Sequence, residues 1–285
     1  MKMLGQQVLS RRSALGAVAG ASLAWRGRLY GREKATAFAL IGDRYHNSDY
    51  IRIGLGRTIG REAGVSIDFC DEVKILDAET LAGRKLLIML RDGMLWPDGY
   101  EDESSNAAWA GEGTPRLVSV PPLPKVKARE QYWITAEQGK AVREFVERGG
   151  GALFFHNVTY VSPHNADFRD VLGAVTEDHP PIRKFKVRVV NREHPITRGV
   201  NDFVVTDEQH FVRYEKDAKY LLLESENEDG LTWKNLGTKS AAGWAYDYGK
   251  GRVCYLAPGH LLTALWNPEY VNLQKNAVRW VMREQ

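Results

Sequence analysis

Four short apolar runs, each ending in a polar tip, constrain this chain more than any other feature. Thr36 to Ile41 runs into Gly42-Asp43, and Lys85 to Leu90 into Arg91-Asp92-Gly93. Ala152 to Phe155 runs into His156-Asn157, and Arg252 to Ala257 into Pro258-Gly259-His260. Largely continuous apolar runs suit strands covered on both faces, as in parallel sheets. Helical patterns lie between them. Asp49 to Glu62 carries Ile51, Leu55 and Ile59 at helical spacing, with Gly64 as the C-cap. Val65 to Cys70 reads as a further strand. Thr135-Ala136-Glu137-Gln138 is a capping box opening a helix whose buried face is Val142, Phe145 and Val146. Gly149-Gly150-Gly151 stops that helix. Beyond His156 the pattern turns antiparallel: Phe185 to Val190, Tyr220 to Leu223, and a hairpin around Gly249-Lys250-Gly251. Asn267-Pro268-Glu269 starts a closing helix. These elements spell an α/β class: a doubly wound, mostly parallel, flavodoxin-like sheet with an added β extension.

A doubly wound domain often reaches 285 residues as one unit. The first 30 residues are set apart from it. Arg11-Arg12 precedes a short apolar run from Leu15 to Trp25, with Ala19-Gly20-Ala21 as a small-residue cleavage pattern. This reads as a twin-arginine export leader, too short to span a bilayer. It leaves residues 31–285 as one domain, periplasmic or otherwise extracytoplasmic, with no stable membrane insertion after export. A net charge of +3 without a long basic run or stacked aromatic platform argues against nucleic acid. Cys70 and Cys254 lie in apolar stretches and read as inert buried thiols. Residues 93–133 break the pattern and scatter Trp96, Tyr100, Trp109, Tyr132 and Trp133 among Gly, Pro and charge, the composition of a lid or binding loop.

In open α/β sheets, ligands bind beyond the carboxyl ends of the strands. His46, His156 and His260 each lie just past such an end, so topology brings them to one edge. A lone loop histidine is usually a hydrogen-bonded packing residue; three at one edge point to a shared polar site. Glu208, in Thr206-Asp207-Glu208-Gln209-His210, is the natural carboxylate partner. Imidazoles and one carboxylate suit zinc or a similar divalent metal. The same groups without a metal suit acid–base work. His156, His260 and Glu208 are therefore the expected catalytic and metal-binding residues. Asp43, His46, Asn157 and His210 are expected to contact substrate. His164 and His179 sit in Pro-rich loops and are assigned no role. No nucleotide cofactor is expected, because there is no P-loop and Gly54-x-Gly56 lies inside a helix pattern rather than after a strand.

The ordered set Gly149 to His156, His194-Pro195-Ile196-Thr197-Arg198-Gly199, Asp207-Glu208, Gly249 to Val253, Pro258-Gly259-His260, Asn267-Pro268 and Asn276 to Trp280 resembles the ThuA-like (trehalose utilisation) family. The resemblance implies a fold like class I glutamine amidotransferases and a small-molecule sugar as partner, a disaccharide or keto-sugar. His156 stands where amidotransferases place their nucleophilic cysteine, so cysteine chemistry is not expected. Some family members carry a second histidine after the first and an acidic residue after the late histidine. Here those places read Thr159-Tyr160 and Leu261. Two functions follow: an enzyme of carbohydrate processing, or a non-catalytic sugar-binding protein with the same pocket.

Overall fold

A computed structural model describes residues 34–98, 127, 129–227 and 230–284. The expected leader and most of the expected lid, residues 99–126, lie outside the described residues. Residues 35–285 cluster as one compact unit.

The parallel half of the sheet is built from β1 (Ala37–Ile41), β2 (Ile67–Cys70), β3 (Leu86–Leu90), β6 (Gly151–Phe155) and β13 (Gly251–Leu256). Their order is β2-β1-β3-β6-β13, and every neighbouring pair is parallel. β1, β3 and β6 are buried at every residue, as strands covered on both faces must be. Between them, β4 (Met94–Leu95) and β5 (Gln131–Tyr132) form a small antiparallel pair at the two ends of the irregular segment.

Helices cover the sheet. α1 (Ser48–Leu55) starts at Asn47, whose side chain accepts from the Asp49 amide, and continues through Gly56–Glu62 with wider i→i+5 pairing. The sequence pattern anticipated one regular helix here. Glycines at 54, 56 and 60 lower the cost of departing from regular helix. α2 (Ala78–Leu81) is a single turn. α3 (Ala136–Glu147) has the anticipated capping box, with both reciprocal bonds made. α4 (Ala166–Leu172) runs from the Asn165 cap to Gly173 in the left-handed region. α5 (Leu262–Leu265) and α6 (Pro268–Val281) close the chain, and the Asn267 side chain caps the latter.

The β extension is larger than the sequence pattern indicated. β12 (Lys239–Tyr248) pairs antiparallel with β13, and β11 (Leu221–Glu226), β8 (Arg183–Val189) and β9 (Phe203–Asp207) follow in that order. The result, among the described residues, is a nine-stranded sheet. β7 (Ala174–Asp178) and β10 (Phe211–Tyr214) pair separately. This is the mostly parallel α/β sheet with an antiparallel extension that the sequence implied. Cys70 and Cys254 are both free, Cys254 fully buried and Cys70 only partly so. No described helix is long and apolar enough to cross a membrane.

Candidate metal centre

The site assembles at the carboxyl edge because parallel strands end together. His46 follows β1, His156 follows β6, and His260 follows β13. Glu208 arrives from another direction, since β9 is the far edge strand of the sheet. What ties it in is Asp207. The fully buried Asp207 carboxylate accepts from the amides of Gly259 (2.9 Å) and His260 (3.0 Å), locking the end of β9 onto the loop after β13. Burial raises the Asp207 carboxyl, against the pull of His156 and its backbone donors. Gly259 is required there for close approach: a Cβ would lie 2.7 Å from the His156 Cβ. His156 itself is in the left-handed region (φ 49°), the sharp strand exit that aims its ring inward.

Four side chains offer donor atoms that all lie within 4.8 Å of one another: His46, His156, Glu208 and His260. Glu208 Oε2 is the hub. It lies 3.0 Å from His260 Nδ1, 3.3 Å from His156 Nε2 and 3.9 Å from His46 Nε2. His46 Nε2 and His260 Nδ1 are 2.9 Å apart. A tetrahedral zinc with bonds near 2.0–2.1 Å needs donors about 3.3 Å apart, so the set has the right scale.

The tautomers strengthen that fit. His46 Nδ1 lies 2.8 Å from Asp43 Oδ1. Burial alone would raise the Asp43 carboxyl, but His46 and backbone donors outweigh it and hold it at about 2. An ionised carboxylate only accepts, so His46 Nδ1 turns a proton toward Asp43 and its Nε2 faces the cluster, 2.9 Å from His260 Nδ1. His156 Nδ1 faces the Ala257 carbonyl at 2.9 Å, which fixes the same tautomer. Burial pushes the His156 imidazole down, against the pull of Glu208 and Asp207. Its Nε2 is buried 3.3 Å from Glu208 Oε2 without an aligned hydrogen bond. For Glu208, burial would raise the carboxyl, but His156, His210 and His260 hold it far below the usual range. Ring nitrogens converging on a carboxylate make a group that could hold a cation. Outer carboxylate or carbonyl partners on ligand imidazoles are the usual mark of a metal site. In the protein alone, His260 can supply the positive charge: burial lowers its imidazole, but Glu208 outweighs this and raises it above its ordinary value.

The remaining expected residues are also here. Asn157 donates to Asp43 Oδ2 at 2.7 Å, and its own Oδ1 is buried without a partner. Asp43 Oδ2 also accepts from the Asp92 amide at 3.0 Å. Asp43 and Asn157 thus back the imidazoles from behind. His210 is buried with neither ring nitrogen hydrogen-bonded, its Nε2 3.6 Å from Glu208 Oε2. Burial, then the neighbouring His156, drives its imidazole well below the usual range.

One residue escaped the sequence reading. His179, given no role there, lies with its Nδ1 3.7 Å from Glu208 Oε1, and its ring stacks on His210 at 5.0 Å between centroids. It directly follows β7, the same strand-exit signal that marked the others, on a strand whose mixed polar pattern hid it. His164 stacks on Tyr132 on the β4–β5 pair and does not join the cluster.

The likeness to known proteins agrees with this architecture. Among solved structures, a ThuA-like protein from Parabacteroides merdae superposes with a TM-score of 0.62 at 13% identity, covering 88% of this chain and 90% of that one. A ThuA-like protein from Bacteroides uniformis gives 0.60 at 20% identity, covering 86% and 90%. A β-galactosidase from Rahnella sp. R3 shares the fold over 97% of this chain but only 35% of its own, with a TM-score of 0.53 at 14% identity. At such identities these show the fold alone. No curated protein matched the sequence. The family model described as trehalose utilisation matches residues 125–281, which takes in His156, Glu208 and His260, and the chain belongs to this ThuA family.

Proposed function

We propose that this protein is an exported, metal-dependent enzyme of carbohydrate processing, acting on a disaccharide or keto-sugar. One observation supports the metal: the Nε2 atoms of His46 and His156, each ring fixed by an outer partner at Nδ1, converge on Glu208 together with His260 Nδ1, all four donor atoms within 4.8 Å of one another. The family's description, trehalose utilisation, supports a carbohydrate substrate. His156, His260 and Glu208 hold the ion, and His46 joins them as a fourth donor in addition to its expected place near substrate. A divalent ion so held would act as a Lewis acid on a sugar carbonyl or hydroxyl. Asp43 fixes the His46 tautomer, and Asn157 braces Asp43. His210, with neither ring nitrogen hydrogen-bonded, is placed to hydrogen-bond a substrate oxygen, and His179, part-exposed, stacks beside it. The leader with Arg11-Arg12 supports export of this domain.

The test is elemental analysis of purified protein with a parallel product assay by mass spectrometry on candidate disaccharides. The expected result is about one zinc-type ion per chain. His156→Ala and His260→Ala should each reduce both metal content and turnover severely. Asp43→Asn, which disturbs only an outer partner, should weaken metal affinity by about 10- to 100-fold. Absence of metal with unchanged turnover in both alanine variants would overturn the reading. Sugar binding without product would turn it into a binding protein.

A further inference from the structure

Three motifs of the sequence take no part in the histidine centre: His194 to Gly199, Gly249 to Val253 and Asn276 to Trp280. The fold brings them together at the other edge of the sheet. Arg252 is the second residue of β13, so it stands at the amino end of the strand whose carboxyl end leads to His260. There a cleft of about 420 Å³ is lined by Pro195 of the first motif, Arg252 of the second, and Asn276, Arg279 and Trp280 of the third. Arg283 and Glu284 complete the lining. Arg279 and Trp280 lie three and four positions after Asn276 on α6, which puts all three on one side of that helix.

The cleft is pre-organised and positive. Asp247 Oδ1 accepts from Arg252 Nε at 3.0 Å and from Arg283 Nη2 at 3.2 Å, so two guanidiniums share one carboxylate. Arg252 also donates to the Trp280 carbonyl at 2.9 Å, and its guanidinium lies 4.5 Å from the centroid of the Trp280 ring. Arg283 also donates to the Lys250 carbonyl at 3.0 Å. Asn276 donates to the carbonyls of Ile196 and Arg198, which holds the first motif against α6. Arg279 is exposed and has no hydrogen-bond or ion-pair partner among the described residues. Three guanidiniums thus face the carboxylates of Asp247 and Glu284, with one cation in excess. Half-buried His194 registers that excess. Its ring meets Trp280 edge-on at 4.9 Å between centroids, and burial, then Arg252, push its imidazole down against the pull of Asp247. Side chains already held in place lose little freedom when a ligand arrives.

We infer that this cleft binds a phosphate group, carried free or on a small organic body. The guanidinium fork matches phosphate oxygens pairwise, and a nearly doubly charged anion answers the excess positive charge better than one carboxylate does. The cleft has room beyond the phosphate itself, so a phosphate ester fits it better than the free ion. It shares no residue with the histidine centre and needs neither the metal nor the carbohydrate reading.

The test is equilibrium dialysis of the purified chain against radiolabelled inorganic phosphate at constant ionic strength, with glycerol 3-phosphate as competitor. Wild type should bind the label, and glycerol 3-phosphate should displace it at lower concentration than unlabelled phosphate does. Displacement at equal concentration would assign the site to the free ion. Arg279→Gln and Arg283→Gln should each weaken binding by about tenfold. Arg279→Lys keeps the charge without the fork and should weaken it less. Arg213→Gln, at an exposed arginine of β10, and His156→Ala, at the histidine centre, should both bind as wild type does. A wild type that retains no label would overturn the inference, as would unchanged binding in both Arg279→Gln and Arg283→Gln. Binding lost in His156→Ala would move the anion to the histidine centre, and an equal loss in Arg213→Gln would reduce the effect to overall charge. Either result would overturn the cleft as its site.

Discussion

Asp43 and Asp92 occupy one buried corner and titrate at opposite extremes. Asp43 is held at about 2, mainly by His46 against burial, whereas burial and then the Asp43 charge push Asp92 up to about 7. A carboxyl raised in the folded state binds a proton there that the unfolded chain has already lost. Its stabilising contribution is complete below about pH 4 and is lost as pH rises through about 7. Asp92→Asn keeps the shape without the charge, so the metal-free variant should lose less stability between pH 5 and 8 than wild type, as thermal melts across that range would register. An unchanged pH dependence would show that the Asp92 charge is relieved in another way. At this scale the sequence was readable wherever a residue left a recognisable strand. His46, His156 and His260 follow apolar runs, and Glu208 was found through its neighbours as the acidic partner. His179 was not found, because β7 has only two apolar, buried residues, Ala174 and Val175, before turning polar, too few to announce a strand.

The elements differ in how openly their sequences declare them. α3 does so at its N-terminus: Thr135 accepts from the Gln138 amide at 3.2 Å, and the Gln138 side chain accepts from the Thr135 amide at 3.0 Å. Gln138 also donates to the Val73 carbonyl, which joins the cap to the preceding segment. Thr135→Ala should cost about 1 kcal/mol, measured as a lower urea midpoint at constant slope, with metal content unchanged. α4 stayed hidden although its Asn165 cap and Gly173 stop are both visible, because seven residues give too little periodicity. β9 stayed hidden for a different reason. It has buried positions at Phe203, Val205 and Asp207, and the last of these is a carboxylate placed where a pattern reader expects an apolar side chain. That carboxylate turns out to be the anchor for the loop carrying His260.

For the whole molecule, the parallel half followed from local patterns, since buried runs, helices and crossover rules leave few arrangements. The path of the extension did not follow from them. Nothing local says that β9, at the opposite edge of the sheet order from β2, brings Glu208 to the histidines. At this scale the expected leader makes its own prediction. Replacing Arg11 and Arg12 by lysines should abolish appearance of the protein outside the cytoplasm, read by cell fractionation, without changing metal content of the purified chain. Unaltered fractionation would remove export from the proposal. The wide sequence separation of the donors carries a last consequence. His46 and His260 meet across 214 positions, and Glu208 reaches them only after the extension has returned. No early fragment of the growing chain holds the set, and contacts this distant close late because loop closure must come first. Ion capture would then report the end of folding, and the last turn of the assembly line, not an isolated pocket, would decide which compartment furnishes the ion.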